Sequence, residues 1–344
     1  MSESKPVLCP DCDGVSRRGF LKSAGAAALA VSGLVPAVAA ARPVLAAETR
    51  ETLIAKLYET LSADQKAKIC FGWEDPKRQM ISNNWHIVPQ TIGEFFTGEQ
   101  QAMIREIFNQ AHSPEWIEKR LVQMKDDAGS FDKYNIALFG QPGSGQFEWV
   151  MTGRHLTLRL DGDSEPGVAF GGPIFYGHAA QGFNEKPDHP GNVYWHQALR
   201  ANEVFQALDG TQRTRALIEG PVPQEAPQVL VARAEDQRAG LRVAEMTRDQ
   251  QGLVEKVLGD LLAPYNPKDT AEARRYLRAN GGVKSLHMSF YKAEDIGSDG
   301  VWDVWKLEGP AMTWYFRGSP HVHVWVYLSE KPLAVAPPGP RPNA

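Results

Sequence analysis

One stretch concentrates the side chains that could do chemistry. In Pro320-His321-Val322-His323-Val324-Trp325-Val326-Tyr327 a strand would place His321, His323, Trp325 and Tyr327 on one face. Val322, Val324, Val326 and Leu328 would line the other. Histidines two residues apart stand about 6.5–7 Å apart at Cα, close enough to turn both imidazoles onto one ion. Imidazole suits zinc, copper, iron or nickel. The competing reading is a histidine pair on a solvated or aromatic-packed strand face, since the motif supplies only two of the three or four ligands a metal needs. Trp325 and Tyr327 beside the histidines form an aromatic wall that could accept a sugar, quinone or peptide side chain.

Two further histidines are ligand candidates. His155, in Gly153-Arg154-His155-Leu156-Thr157-Leu158-Arg159-Leu160, shares a polar strand face with Thr157 and Arg159, opposite three leucines. His178 follows Gly177 at the end of Pro173-Ile174-Phe175-Tyr176, where glycine lets backbone approach a ligand; the alternative is a loop histidine at a turn. His189 falls in a Pro/Asp/Gly loop, His86 in a polar loop, and His196 on the polar side of a helix. His112 and His287 show no pattern. Glu308 and Asp303 are the nearest carboxylates in sequence, without a specific motif, so no catalytic acid or base is assigned. Gly140-Gln141-Pro142-Gly143-Ser144-Gly145-Gln146 lacks the Gly-Lys-Ser/Thr ending of a phosphate loop and reads as a hairpin turn. Ser144 has no nucleophile-elbow spacing, and Cys70 among aromatic residues reads as an inert thiol.

Helices and strand blocks must position these residues. Ser/Thr/Asp followed three residues later by Gln occurs four times, at Ser62/Gln65, Thr97/Gln100, Asp209/Gln212 and Thr247/Gln250. Each is a capping box, in which cap oxygen and glutamine satisfy orphan amides reciprocally. A fifth helix is expected over 193–208, and others near 115–125 and 270–279. Period-two segments at 134–139, 146–152, 154–160 and 168–176 form one strand block; 285–291, 301–307, 311–316 and 322–328 form another. The expected fold is α+β, with helix pairs alternating with antiparallel strand blocks. Trp149, Gly153 and Thr157 recur at the same spacing as Trp305, Gly309 and Thr313, which points to an internal duplication with the blocks meeting across a pseudo-twofold axis. Two unrelated hairpins of similar composition are the alternative.

The 344 residues, 42% hydrophobic and 23% charged, exclude disordered and collagen-like classes, and a net charge of −4 removes the basic footprint of a nucleic-acid binder. Ser16-Arg17-Arg18-Gly19-Phe20-Leu21-Lys22 opens a twin-arginine signal followed by a weakly apolar, alanine-rich run too short for a membrane span. Cleavage is expected after Ala47; an uncleaved anchor is the alternative. Residues 1–47 hold five of the 37 basic and three of the 41 acidic residues, so the remaining 297 carry 32 and 38 and a net charge of −6. The Cys9/Cys12 pair goes with them, leaving Cys70 and no internal disulfide. The expected organisation is a signal at 1–47, one α+β domain at 48–330 and a proline-rich disordered tail at 331–344.

The early Leu-Ser-x-x-Gln helix, the Gly153–Leu156 element, the Leu208–Arg213 helix and a late Gly-Pro strand followed by His-x-His together resemble the bacterial domain of unknown function 3500. That resemblance spans residues 50–330 and implies a fold but no activity. It departs from the family pattern at Arg154, where a second histidine is usual, and at Ser319-Pro320-His321-Val322-His323, where an Asn-His-x-His element is usual. The expected protein is periplasmic or extracellular, exported by the twin-arginine translocation machinery, with no stable membrane span when mature and no nucleic-acid partner. It holds one transition-metal ion (zinc, copper or iron) through His155, His321 and His323, with His178 as a fourth candidate, and supports hydrolysis or oxidation of a small molecule. The alternative is a metal-free protein that binds carbohydrate or another ligand on the Trp325/Tyr327 face.

Overall fold

The computed structural model of the chain describes residues 48–179, 193–225, 227–230, 233–296 and 299–332. The twin-arginine segment, His189 and the tail beyond residue 332 lie outside them. The helices of the first half are α1 (Arg50–Thr60), α2 (Ala63–Ile69), α3 (Ile92–Phe95), α4 (Gly98–Gln110) and α5 (Pro114–Ala128). Those of the second are α6 (Trp195–Ala207), α7 (Gly210–Ala216), α8 (Arg248–Leu262) and α9 (Pro267–Ala279). All four capping boxes form, opening α2, α4, α7 and α8. Their glutamines also bond each other. Gln65 and Gln100 exchange amide hydrogen bonds of 2.8 and 3.1 Å, and Gln212 and Gln250 exchange bonds of 3.2 and 2.8 Å. Each pair of local caps therefore fastens two helix N-termini together, which satisfies side-chain polar groups that the buried Gln100 could not leave unpaired.

The strands are β1 (Cys70–Phe71), β2 (Asn135–Gly140), β3 (Phe147–Gly153), β4 (Leu156–Leu160), β5 (Ile174–His178), β6 (Leu217–Ile218), β7 (Leu241–Arg242), β8 (His287–Tyr291), β9 (Val304–Glu308), β10 (Met312–Arg317) and β11 (Val322–Leu328). They form one mixed sheet in the order β1-β2-β3-β4-β5-β11-β10-β9-β8-β6, with β7 also on β8, so the fold is α+β. The two blocks join edge to edge through the antiparallel β5–β11 pair. Their registers correspond: Cys70, Leu138, Trp149 and Leu160 lie in one cross-strand row, and Leu217, Phe290, Trp305 and Phe316 in another. In both blocks the outermost pairing is parallel and the rest antiparallel.

The expected strand over 168–176 is broken. Phe170, Gly171 and Gly172 take φ of +60°, +71° and +134°, a left-handed run that two glycines tolerate, and only Ile174–His178 continues as strand. One face of the sheet packs on the helices: Trp305, Leu307, Trp314, Phe316, Val322, Val324 and Val326 meet Tyr194, Val204, Phe205, Val254 and Leu258. The opposite face is covered as well, by Ile81 and by Val229 and Leu230 over Phe175, Tyr315 and Trp325. That face is polar yet buried, and its ions pair: Glu148 receives Arg159 at 2.6 Å and Arg78 at 3.1 Å. Among the described residues no helix is long and apolar enough to cross a membrane.

Candidate metal centre

Three chain segments end at one point of the sheet. The hairpin joining β3 to β4 turns through Arg154 and His155, because Gly153 already faces Leu156 across the strands. His155 takes φ of +59° there, a conformation uncommon for a residue with a Cβ, so the expected strand over 154–160 begins two residues late. Its amide donates to Asn83 O at 3.0 Å, and its carbonyl accepts from Gly177 N at 3.1 Å. β11 enters beside it and carries His323, while His321 immediately precedes the strand. Close approach of β11 to β5 requires glycine at 177: a Cβ there would lie 2.2 Å from Val322 O and 3.3 Å from His323 Cδ2.

The result is a histidine trio. Ring centroids are 5.0 Å apart for His155 and His321, 5.0 Å for His155 and His323, and 4.5 Å for His321 and His323. One nitrogen from each lies within 4.8 Å of the other two. His155 and His323 are buried and His321 is half-buried, so the cluster is sheltered with one side reachable. His323 Nε2 is buried with no hydrogen-bond partner, which a metal bond would satisfy.

Two carboxylates stand behind the trio. Asp127 Oδ1 lies 2.9 Å from His155 Nδ1, an ion-pair approach rather than a well-aligned hydrogen bond. Glu225 Oε1 contacts His323 Nδ1 and its Oε2 receives Arg317 Nη1 at 2.5 Å. In both histidines Nδ1 is thereby turned to an acid and Nε2 is the nitrogen left for a ligand bond, the orientation that outer carboxylates give metal-binding imidazoles. Burial would raise the Asp127 carboxyl, but the approach of His155 and the bonds from His178 and Gln123 outweigh it and hold it well below the usual carboxylate range. Glu225 behaves likewise, burial being overcome by His323 and Arg317. Burial, followed by the charges of His323 and His155, pushes His321 down to about 4. Burial also lowers His155 despite Asp127. Imidazoles that resist protonation are what a metal requires.

The other expected site residues take separate places. His178 is fully buried at the end of β5, with Nδ1 3.4 Å from Asp127 Oδ2, and stands outside the trio. Trp325 is 1% exposed, packed edge-on against Phe175 with its Nε1 3.5 Å from Glu225; it backs the outer carboxylate. Tyr327 borders a cavity of about 290 Å³ with Arg78, Glu148, Arg159 and Glu165, farther along the same face. His196 packs on Trp116, and His112 is buried with Nδ1 on Phe108 O. Burial raises the Cys70 thiol to about 11, in keeping with an inert cysteine.

Asp127 and Glu225 are absent from the sequence-based set. Asp127 left one trace: an acid in the last turn of α5, where the helix dipole disfavours negative charge. Glu225 sits in Pro221-Val222-Pro223-Gln224-Glu225, with no periodicity to mark it. The chain matches no curated protein and no solved structure. Residues 46–311 match the family described as Protein of unknown function (DUF3500), a span that contains His155, Asp127 and Glu225 and ends before the His-x-His strand. Covering most of the chain, that match shows that this protein belongs to the DUF3500 family.

Proposed function

We propose that this protein binds one transition-metal ion through His155, His321 and His323 and uses it on a small molecule, in hydrolysis or oxidation. The observation that carries the reading is the pairing of a compact histidine trio with an acid behind two of its three rings. Isolated buried histidines need no such arrangement; metal ligands regularly have it. Three neutral nitrogen ligands suit zinc, copper or iron and leave room for an exchangeable position. A bound metal would supply Lewis acidity or an activated water. The chain's own residues fix the imidazoles: Asp127 holds His155, Glu225 holds His323, and Gly177 admits β11 to the required distance.

The test is metal analysis of untagged protein purified from its own host. About one equivalent of a single transition metal is expected, lost in the His321→Ala/His323→Ala variant. Less than a tenth of an equivalent in the wild type, unchanged by that variant, overturns the reading. Metal-free ligand binding on the Trp325/Tyr327 face finds less support, because Trp325 is buried and only Tyr327 borders a cavity.

We further propose export by the twin-arginine route, supported by Ser16-Arg17-Arg18-Gly19-Phe20-Leu21-Lys22. An Arg17→Lys/Arg18→Lys variant that still reaches the periplasm would contradict it. Descent of the two halves from one duplicated unit is supported by the matching registers and the twin glutamine pairs. Family-wide alignment of the two halves should superpose those rows, and agreement no better than chance would refute common descent.

A further inference from the structure

We propose that Arg120 is a positioning residue for the metal centre, acting at a distance through Tyr194, Gln123 and Asp127; this inference rests on the metal-binding reading above. Arg120 is 1% exposed in the middle of α5. Among the described residues no carboxylate forms an ion pair with it. Its surroundings are the rings of Tyr176, Tyr194 and Tyr265, with centroids 5.1, 5.1 and 5.7 Å from the guanidinium carbon. A buried cation without a contacting anion is costly and is rarely retained for packing alone.

The geometry gives the charge a target. Arg120 Nη1 donates to the Tyr194 hydroxyl. That hydroxyl donates to Gln123 Oε1 at 3.4 Å, and Gln123 Nε2 donates to Asp127 Oδ2 at 2.9 Å. Arg120, Gln123 and Asp127 recur on one face of α5 at i, i+3 and i+7, so the helix itself sets their spacing. Every donor along this path points toward Asp127, and bonds aligned in one direction polarise one another in a buried environment. Asp127 needs such support, because it lies in the last turn of its helix, where the dipole opposes its charge. The arrangement delivers positive potential to Asp127 without placing a guanidinium on the carboxylate. A direct arginine pair would compete for the Oδ1 that faces His155. Arg120 thereby holds the Asp127 carboxylate in place through Tyr194 and Gln123, with its Oδ1 directed at the His155 ring.

Tyrosine-to-phenylalanine changes test this with little change in packing. Tyr194→Phe removes the link but keeps the ring stacked 6.0 Å from Trp116. Tyr265→Phe removes a hydroxyl that also borders Arg120 but lies off the path to Asp127 and serves as the control. Full-length protein is titrated with Co²⁺ and Zn²⁺ against a chelator, and the Co²⁺ ligand-field spectrum is recorded for each variant. Tyr194→Phe is expected to weaken binding about 3- to 10-fold, somewhat less than loss of a direct outer carboxylate, and to shift the Co²⁺ bands. Tyr265→Phe is expected to stay within about twofold of wild type on the same scale. Arg120→Lys should retain more affinity than Arg120→Met. Wild-type binding with Tyr194→Phe unchanged in affinity and spectrum overturns the role of Arg120 alone, as does an equal loss in Tyr265→Phe. A wild type that binds neither ion overturns the metal reading and this inference together.

Discussion

Replacing Asp127 by asparagine probes the centre through a residue that touches no metal. Asp127 gathers four nitrogen contacts: His155 Nδ1 at 2.9 Å, Ala179 N at 3.0 Å, Gln123 Nε2 at 2.9 Å and His178 Nδ1 at 3.4 Å. The first two approach Oδ1 and the last two Oδ2. Asparagine keeps one acceptor oxygen and puts an NH₂ where the other was. If its oxygen stays toward His155 and Ala179, the NH₂ confronts Gln123 and His178, which lose their acceptor. One or two buried donors left unpaired cost about 1–3 kcal/mol each, so a loss of about 2–4 kcal/mol is expected. For a chain this size that lowers the melting temperature by about 3–6 °C. Loss of the carboxylate charge behind His155 should also weaken metal binding about 10- to 100-fold, equivalent to about 1.4–2.7 kcal/mol. Thermal melts with and without metal, and a chelator competition, read the two effects separately. Metal affinity within twofold of wild type in a folded Asp127→Asn protein would refute the role given to this acid.

Three other outcomes are expected. Glu148→Ala strands the buried guanidinium of Arg159 and leaves Arg78 with Glu165 alone, and should cost about 3–5 kcal/mol in urea unfolding; a loss under about 1 kcal/mol would show the Glu148–Arg159 pair to be dispensable. Gly177→Ala places a Cβ 2.2 Å from Val322 O, which no side-chain rotation relieves, so β11 must move and metal content should fall; a stable variant with full metal content contradicts this. In metal-free protein, His321 titrates near 4 against an ordinary value of 6.5. The unfolded chain therefore takes up a proton that the folded chain refuses, so stability is full above about 6.5 and declines as pH falls toward 4. Urea midpoints across that window should fall less steeply for His321→Asn than for wild type, and parallel slopes would be inconsistent with the burial of this ring.

The capping boxes were legible because each is complete within four residues, and the strands of both blocks were legible because alternation is local. What pairs the glutamines is not local: Gln65 and Gln100 look like two independent caps until α2 and α4 are docked. The same limit hid the acids of the centre. Asp127 reaches His155 across the α5-to-sheet interface and Glu225 comes from a proline-rich segment, so neither shares an element with its histidine. His155, His321 and His323 were legible as residue types on polar strand faces, but the turn that swings His155 round was not, since Gly153-Arg154-His155 also fits a continuous strand. His178 reads as a ligand from its place after Gly177, whereas burial on β5 turns its ring to Asp127. The two-residue strands β1, β6 and β7 are too short to leave a period.

Those short strands bear on how the molecule behaves in a crowded solution. A wide sheet with bare flanks is a template for other chains, and long unpaired strands at its margins invite fibre growth. Here the outermost members are β1 at one flank and β6 and β7, both on β8, at the other; each is two residues long, and β1 and β6 run straight out of the ends of α2 and α7. An incoming strand finds only two-residue strands to zip onto at either flank. The helix–strand junctions thus act as end stops, and lengthening β1 or β6 by design would be expected to trade this protection for self-association.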